Sequence, residues 1–369
     1  MWHWTFKSFL TAPLTLLASI AAAGGALLLA MLFEAVYAGE AKQVVGYVEN
    51  ADADVWVMQR GVSNMHMATS YLSDWKVNEV REVPGVAAVE PILYLNTVVD
   101  AGGKRWFSFV VGLDPNSQRA GPWSMATGRA QPQPGEAVVP KVFAEMTGLD
   151  LGDTVFITDH AFTVAGFSID TFSMGNTVIF VTRPDLEDIM TSLDIVSFML
   201  VKGEPGIDPV ALAKDIEREV EKVHALPSEQ FVINDKVLVM QMGVETIALM
   251  TAIGGALAIL LVAFTIYSQV ARQCRELAVV KALGATNRSL YISVAVQALF
   301  ITLASAIFAT GLALALMQLT AALIPQVTLS LTANAVMKIA VVGVGVALVA
   351  SIIPARQIAR VDPLSAFQA

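Results

Sequence analysis

Residues Arg272–Arg288 read RQCRELAVVKALGATNR, a short charged segment set between two long uncharged runs. Bases at Arg272, Arg275, Lys281 and Arg288 fence it on both sides. Between them Glu276, Leu277, Val280, Lys281 and Leu283 form an amphipathic helix signal, and Gly284 closes it. Glycine suits that stop because a residue without Cβ enters the left-handed turn freely. A helix this short is marginal alone in water, so it is expected to dock on another surface.

The flanks decide the fold class. Upstream, Thr246–Ala271 is an uncharged run of 26 residues, and downstream no charge appears from Ser289 to Met337. The downstream run is too long for one helix. Pro325 and the polar Thr328, Ser330, Thr332 and Asn334 divide it into spans expected at 291–322 and 336–354. Another uncharged run, residues 8–33, opens the chain. Crossing about 30 Å of hydrocarbon takes roughly 20 helical residues at ~1.5 Å each. Over its 369 residues the chain is 55% hydrophobic and 15% charged, against about 25% charged in soluble domains, and its mean hydropathy is +0.62. It therefore reads as an α-helical membrane protein with four transmembrane helices. Val36-Tyr37-Ala38 has the small-residue look of a signal-peptide cleavage site. The run before it exceeds the roughly 7–15 apolar residues usual there, and Lys7 alone precedes it, so the first helix is read as retained.

Charge is divided along the chain. Residues 39–240 hold 28 Asp and Glu against 15 Lys and Arg, while the remainder holds 4 acids against 8 bases. These sum to the overall net charge of −9. The acidic part is expected to be a large extracytoplasmic α+β domain between helices 1 and 2, and nothing in it favours nucleic acid as a partner. In detail, 1–38 is the N-terminal segment and first helix, 39–240 the outer domain, 241–271 the second helix and 272–290 the charged loop. The third helix takes 291–322, a short outer loop 323–335, the fourth helix 336–354 and a basic tail 355–369.

Within 39–240, VVGYVE (44–49) and ADVWVM (53–58) read as strands, and Val77, Val80 and Val83 as a short helix stopped by Pro84-Gly85. VAAVEPILYLNTVV returns as one strand, or as two divided by Pro91. VSFMLVKG is a strand, Pro209–Val223 an amphipathic helix and FVIN (231–234) the closing strand. Strand–helix–strand units at both ends make a split βαβ core. Between them a β-rich insert, about 100–185, carries WFSFVVGL, GEAVVP, a helix at 141–147, LGDTVFI, FTVAGF and NTVIFV. Hairpins fit the breaks at Asp159-His160 and Gly175-Asn176.

Lys and Arg mark the inner face of short loops. The 272–288 segment holds four, the tail holds Arg356 and Arg360, and the loop after the third span holds none. Segment and tail are thus cytoplasmic, and four spans put the N-terminus inside and 39–240 outside. Lys338 falls at the outer mouth of the fourth helix, where its stem can snorkel.

No catalytic set is present. The sequence has no GxxxxGK[ST], GxSxG or HExxH, and its single cysteine, Cys274, excludes CxxC and any internal disulfide. The histidines at 3, 66, 160 and 224 are scattered. Met65-His66-Met67 pairs thioethers with imidazole, a ligand set suited to copper or haem iron, yet loop methionines packed on their own domain explain it as simply. Glu34 and Glu245 mark the water boundary of the first two spans. Trp2 and Trp4 suit an interfacial belt, and Trp56, Trp75, Trp106 and Trp123 suit the core or surface patches of the outer domain.

RQCRELAVVKALGATNRSLYI resembles the cytoplasmic loop of FtsX/MacB-type ABC transporter permeases, the type VII transmembrane subunits, with a pattern near R-x-x-E-[IL]-x-[VL]-x-[KR]-A-L-G-A-[ST]. The tail PARQIARVDPLSAFQA is similar to the family's P-A-x-x-A-x-x-[DN]-P ending, with Phe367 and Gln368 departing from the usual leucine and base. GEAVVP…GLDLGDTVFI…FTVAGF is similar to the family's outer β subdomain. The resemblance implies that the segment is a coupling helix seated in a groove of a cytosolic ATPase. Arg272 and Arg275 would pair with acids there, while Leu277, Val280 and Leu283 fill its apolar pocket. Glu276, Lys281, Ala282, Gly284 and Ala285 complete the ATPase-coupling set. This chain would be non-catalytic and hold no cofactor, with ATP and Mg bound by a dimer of the separate ATPase. Further expected partners are a second permease, with a homodimer favoured by symmetry, membrane lipids, and a periplasmic adaptor or outer-membrane component. The setting is the bacterial inner membrane, and the substrate is hydrophobic or amphipathic. The alternative is a mechanical module that activates an extracytoplasmic partner such as a cell-wall hydrolase.

Overall fold

The computed structural model describes residues 13–66, 68–173, 176–192, 194–239, 245–272, 279–281, 284–324 and 326–360. The chain forms two compact units, one of residues 1–39, 246–323 and 329–369, the other of 40–245 and 324–328.

In chain order, α1 (Pro13–Gln43) and α2 (Gly46–Asn50) lead into β1 (Val55–Gln59), β2 (Leu72–Ser73), α3 (Lys76–Glu82), β3 (Val86–Ala101) and β4 (Lys104–Leu113). β5 (Met125–Gly128), β6 (Glu136–Pro140), α4 (Lys141–Thr147), β7 (Thr154–Ile157) and β8 (His160–Ser168) follow. Then come β9 (Phe172–Ser173), β10 (Asn176–Thr182), α5 (Arg183–Met190), β11 (Ile195–Val196) and β12 (Phe198–Gly203). α6 (Pro209–Glu219), β13 (Val223–Pro227) and α7 (Ser228–Val239) close the acidic part, and α8 (Glu245–Arg272), α9 (Asn287–Leu323) and α10 (Ala333–Arg360) complete the chain.

Four helices are long and apolar enough to cross a membrane: Pro13–Gln43, Ala248–Arg272, Asn287–Leu323 and Ala333–Ile353. Their shared core is built from small and β-branched residues. On α8, Ala258, Val262, Ile266 and Val270 recur every fourth residue and meet Ala23, Leu27 and Ala30 of α1 within one cluster. That spacing keeps one narrow stripe inward and lets backbones approach closely. Polar ties fix the register: Ser19 Oγ donates to Gln269 Oε1 at 2.9 Å, Ser305 Oγ to Ile20 O at 3.2 Å, and Thr251 Oγ1 to Phe33 O at 3.3 Å. Thr286 and Thr332 each accept the backbone N–H three residues on, from Ser289 and Ala335, capping α9 and α10. α10 continues to Arg360, through Pro354.

The other unit is one 11-stranded sheet in the order β13-β1-β12-β3-β4-β10-β6-β8-β5, with β7 and β9 paired off this path. Its first four strands, with α3 and α6, are the split βαβ core. β12 pairs antiparallel with both β1 and β3. β3 runs unbroken through Pro91, pairing with β12 over its first half and with β4 from Leu93 to Ala101. Strand alternation sorts the core. Trp56, Met58, Phe198 and Leu200 join one cluster that continues through Phe109 and Phe180 of the insert. Val55, Val57, Met199 and Val201 face the opposite side, under Val77, Val80 and Leu212. The insert's own second face is packed by Phe143 of α4 and Leu186 of α5.

Three expectations are corrected. VVGYVE holds α2, not a strand: Tyr47 lies 6.3 Å from the Trp56 ring and 6.0 Å from Phe180, so its burial fixes the segment across the sheet face. FVIN lies in α7, where Phe231 and Asp235, one helical turn apart, are both fully buried. The helix expected over Pro209–Val223 ends as α6 at Glu219, Lys222 takes a left-handed φ of +62°, and the closing strand is β13, which starts at Val223. Tertiary burial overrides the β preference of a short Phe-Val-Ile run.

Trp56 stacks on Phe231 at 4.9 Å, and among the described residues its buried indole N–H has no partner. Trp56→Ala is expected to cost about 3–5 kcal/mol. Trp56→Phe is expected to cost less, since it removes the orphan donor along with part of the ring. Thermal unfolding of the detergent-solubilised chain measures both.

Candidate functional site

The charged segment begins at Arg272, the last residue of α8. Arg275, Glu276, Leu277, Ala282 and Leu283 lie outside the described residues, as does Cys274. Val279, Val280 and Lys281 are helical. The stop has the double hydrogen bond of a Schellman turn: Gly284 N donates to Lys281 O at 3.0 Å and Ala285 N to Val280 O at 3.3 Å, with Gly284 at φ +98°. Two residues later Thr286 caps α9, so a hydrogen-bonded helix stop and a capped helix start lie within a few residues of each other. Val280 packs against the core of its own helical bundle. Val279, which the sequence pattern did not single out, is 38% exposed and is left facing away.

The sheet unit has a polar cleft of about 590 Å³ lined in part by Asp74, Glu90, Asp114, Arg119 and Arg183. Sequence reading missed it, because these residues come from four separated stretches. Arg183 opens α5 behind Thr182, whose side chain accepts the Asp185 N–H; a threonine cap followed by Pro184 was the available signal for that helix. Its guanidinium reaches Asp114 at 2.7 Å, Asp74 at 3.0 Å and Glu187 at 3.8 Å. Burial raises the carboxyl pKa values of Asp114 and Glu187, with Arg183 pulling both the other way. Glu90 is buried on β3 and clamps the loop after β4: it accepts the N–H groups of Gln118, Arg119 and Ala120 at 3.0–3.2 Å, and the Ser117 hydroxyl. Tyr47 holds the same loop by donating to Ala120 O at 3.0 Å. Near the end of β12, Lys202 bridges Asp52 at 2.7 Å and Asp54 at 3.0 Å, and its hydrogen bond holds Asp52 below the usual carboxylate range.

His66 is no surface ligand. Its Nδ1 lies 2.6 Å from Asp235 Oδ2, and Asp235 Oδ1 accepts the backbone N–H of Met65 at 3.0 Å and of His66 at 3.1 Å. Met65 is buried in the core, and Met67 lies outside the described residues. Among the described residues no group of three or more His, Cys, Asp or Glu is placed to hold a metal ion.

Comparison with known proteins decides the assignment. Residues 15–219 match the MacB-like periplasmic core domain, and residues 248–363 match the FtsX-like permease C-terminal domain. The chain belongs to the MacB/FtsX-type family of ABC transporter permeases. Its relatives include an uncharacterised ABC transporter permease of Mycobacterium tuberculosis, 24% identical over 87% of this chain and 86% of that one. Another, from Mycobacterium bovis, is 21% identical over the same shares. Among solved structures, the periplasmic region of MacB from Actinobacillus actinomycetemcomitans is 11% identical, covering 50% of this chain and 94% of that chain at a TM-score of 0.38. The extracellular domain of the ABC-type transporter YknZ from Gram-positive bacteria is 13% identical, covering 47% and 100% at a TM-score of 0.38. By its family match and its four apolar helices, the permease carries a periplasmic-type domain between its first helix and the other three.

Two outcomes follow for the sheet unit. Removing Glu90 strands three N–H groups, so Glu90→Ala should open the 114–120 loop to limited proteolysis while Glu90→Gln preserves part of the clamp. On acidification, Asp114 and Glu187 should take up protons before the average carboxylate and Asp52 after it, as carboxyl NMR would resolve. The raised pair favours the fold increasingly as pH falls through their values, whereas the Asp52 contribution is lost only below the usual range.

Proposed function

We propose that this permease couples ATP hydrolysis by a separate ATPase chain to movement of its periplasmic-type domain, which extrudes or extracts a hydrophobic or amphipathic substrate. The observation that carries the reading is the locked turn after α8. A helical stretch that ends in a Schellman turn and passes within two residues into a capped spanning helix transmits a push without melting, as a coupling element must. In this reading Arg272, Arg275 and the exposed Val279 meet the ATPase, Leu277 and Leu283 fill its groove, and Val280 braces the helix from beneath. Arg272–Arg288 and the C-terminal tail are cytoplasmic, the N-terminus with them, and residues 39–240 lie on the far side of the inner membrane. Four helices do not enclose a pathway, so two permeases face each other over an ATPase dimer that binds ATP and Mg, and a periplasmic adaptor or outer-membrane component completes the assembly.

The test separates docking from bracing. Val279→Asp should reduce ATPase stimulation by about tenfold or more while the permease stays folded. Val280→Asp buries a charge against the bundle and should lower permease stability by several kcal/mol. ATPase assays of the complex reconstituted with its co-purifying ATPase, beside unfolding curves of the permease alone, read both. Normal coupling in both variants removes the coupling role from this segment. Stimulation by hydrophobic or amphipathic candidates supports transport, and a response confined to a cell-wall hydrolase supports the activator reading instead.

A further inference from the structure

The helical unit contains a groove that its own helices do not fill. Its volume is about 150 Å³, and α1, α8 and α10 line it. The inner part is wholly apolar: Leu27 and Ala30 from α1, Ala258 and Val262 from α8, and Val342 and Val346 from α10. From Glu34 to Leu27 and from Lys338 to Val346 the helices advance about 10–12 Å, so the groove runs roughly two turns into the bundle. An apolar cavity of about this size stays dry and accepts a benzene-sized hydrocarbon.

Its charged end is not apolar. Glu34 and Lys338 both line the groove. Among the described residues neither makes an ion pair or a hydrogen bond, with each other or with any other group. Both lie at the end of the bundle where α1 finishes and α8 and α10 begin. Two bonds tie that level together: Ser330 N donates to Ala35 O at 2.9 Å, and Thr251 Oγ1 to Phe33 O. Two opposite charges beside one apolar slot, not satisfied by each other, are costly in a membrane unless something meets both. A ligand that satisfies them carries an anion and a cation on a short head and a hydrocarbon chain below.

We propose that this groove binds one acyl chain of a zwitterionic phospholipid, with the phosphate on Lys338 and the head-group ammonium on Glu34. Charge complementarity selects this occupant over an anionic lipid, which satisfies Lys338 and leaves Glu34 facing a like charge. Seated there, the lipid braces the first, second and fourth spanning helices against one another. The assignment is independent of the transport reading, because binding requires neither ATP nor an ATPase.

Gly255 provides a clean test. It lines the groove, and a Cβ at that position meets nothing within 4 Å, so a larger side chain grows into the slot. Gly345, also open and outside the lining, is the matched control. Full-length permease in detergent is delipidated and given phosphatidylethanolamine or phosphatidylglycerol, and bound lipid is counted by native mass spectrometry. Phosphatidylethanolamine should be retained at one per chain. Gly255→Leu and Lys338→Gln should each lower its retention by about tenfold, while Gly345→Leu retains it and every variant, once delipidated, keeps the melting temperature of the delipidated wild type. Glu34→Gln should remove the preference for phosphatidylethanolamine over phosphatidylglycerol. Equal retention of the two lipids by the wild type overturns the head-group assignment. Retention unaffected by Gly255→Leu overturns the groove, as does a lipid-free wild type whose dimer Gly255→Leu dissociates, since a second copy then covers it.

Discussion

A main chain in hydrocarbon has no water to bond with, and that constraint organises this permease. Each of the four apolar segments satisfies its N–H and C=O groups within its own helix. Lateral specificity is then left to shape and a few short polar ties. Where α8 crosses α1, a Cβ on Gly254 would stand 2.4 Å from the Phe33 ring, and on α10 one on Gly343 would stand 3.1 Å from Leu27. Close approach of this kind is how helices associate when the hydrophobic effect gives no preference between lipid and protein. The same constraint drives charge toward the ends of the bundle, and Glu34 and Lys338 both line its groove there.

The sheet unit solves the same bonding problem with β3. One strand of 16 residues is hydrogen-bonded to β12 in the split βαβ core and to β4 in the insert. The two parts are therefore one sheet with one continuous core on a single face, from Trp56 through Phe109 to Phe180. Glu90, in the first half of β3, pairs with Leu200 on the face that carries Ile92 and Tyr94, and at the margin of that core its carboxylate gathers the loop that follows β4. Structure and organisation of the cleft thus follow from one uninterrupted strand.

How much of this was legible depends on how local the cause is. The helix at Lys141–Thr147 and the stop at Gly284 were readable because the deciding residues sit within one turn of their effect. FVIN was misread because its state depends on Trp56, which receives Phe231 from 175 residues away. VVGYVE was misread for a similar reason, since Tyr47 is placed by Trp56 and Phe180. The Arg183 cluster left almost no trace, because ion pairs between residues 74, 114 and 183 have no period in sequence.

The sequence by itself determined the four long apolar helices, the acidic α+β domain between the first and second, and the helix stop at Gly284. Each follows from composition over a contiguous window, which is all that partition between lipid and water requires. Tertiary structure alone decided that β3 is shared, that residues 228–239 are helical, that Val280 turns inward and Val279 outward, and that an apolar groove remains below Glu34 and Lys338. Those outcomes rest on which distant surfaces come within van der Waals reach, and contact across space is not written in neighbouring residues.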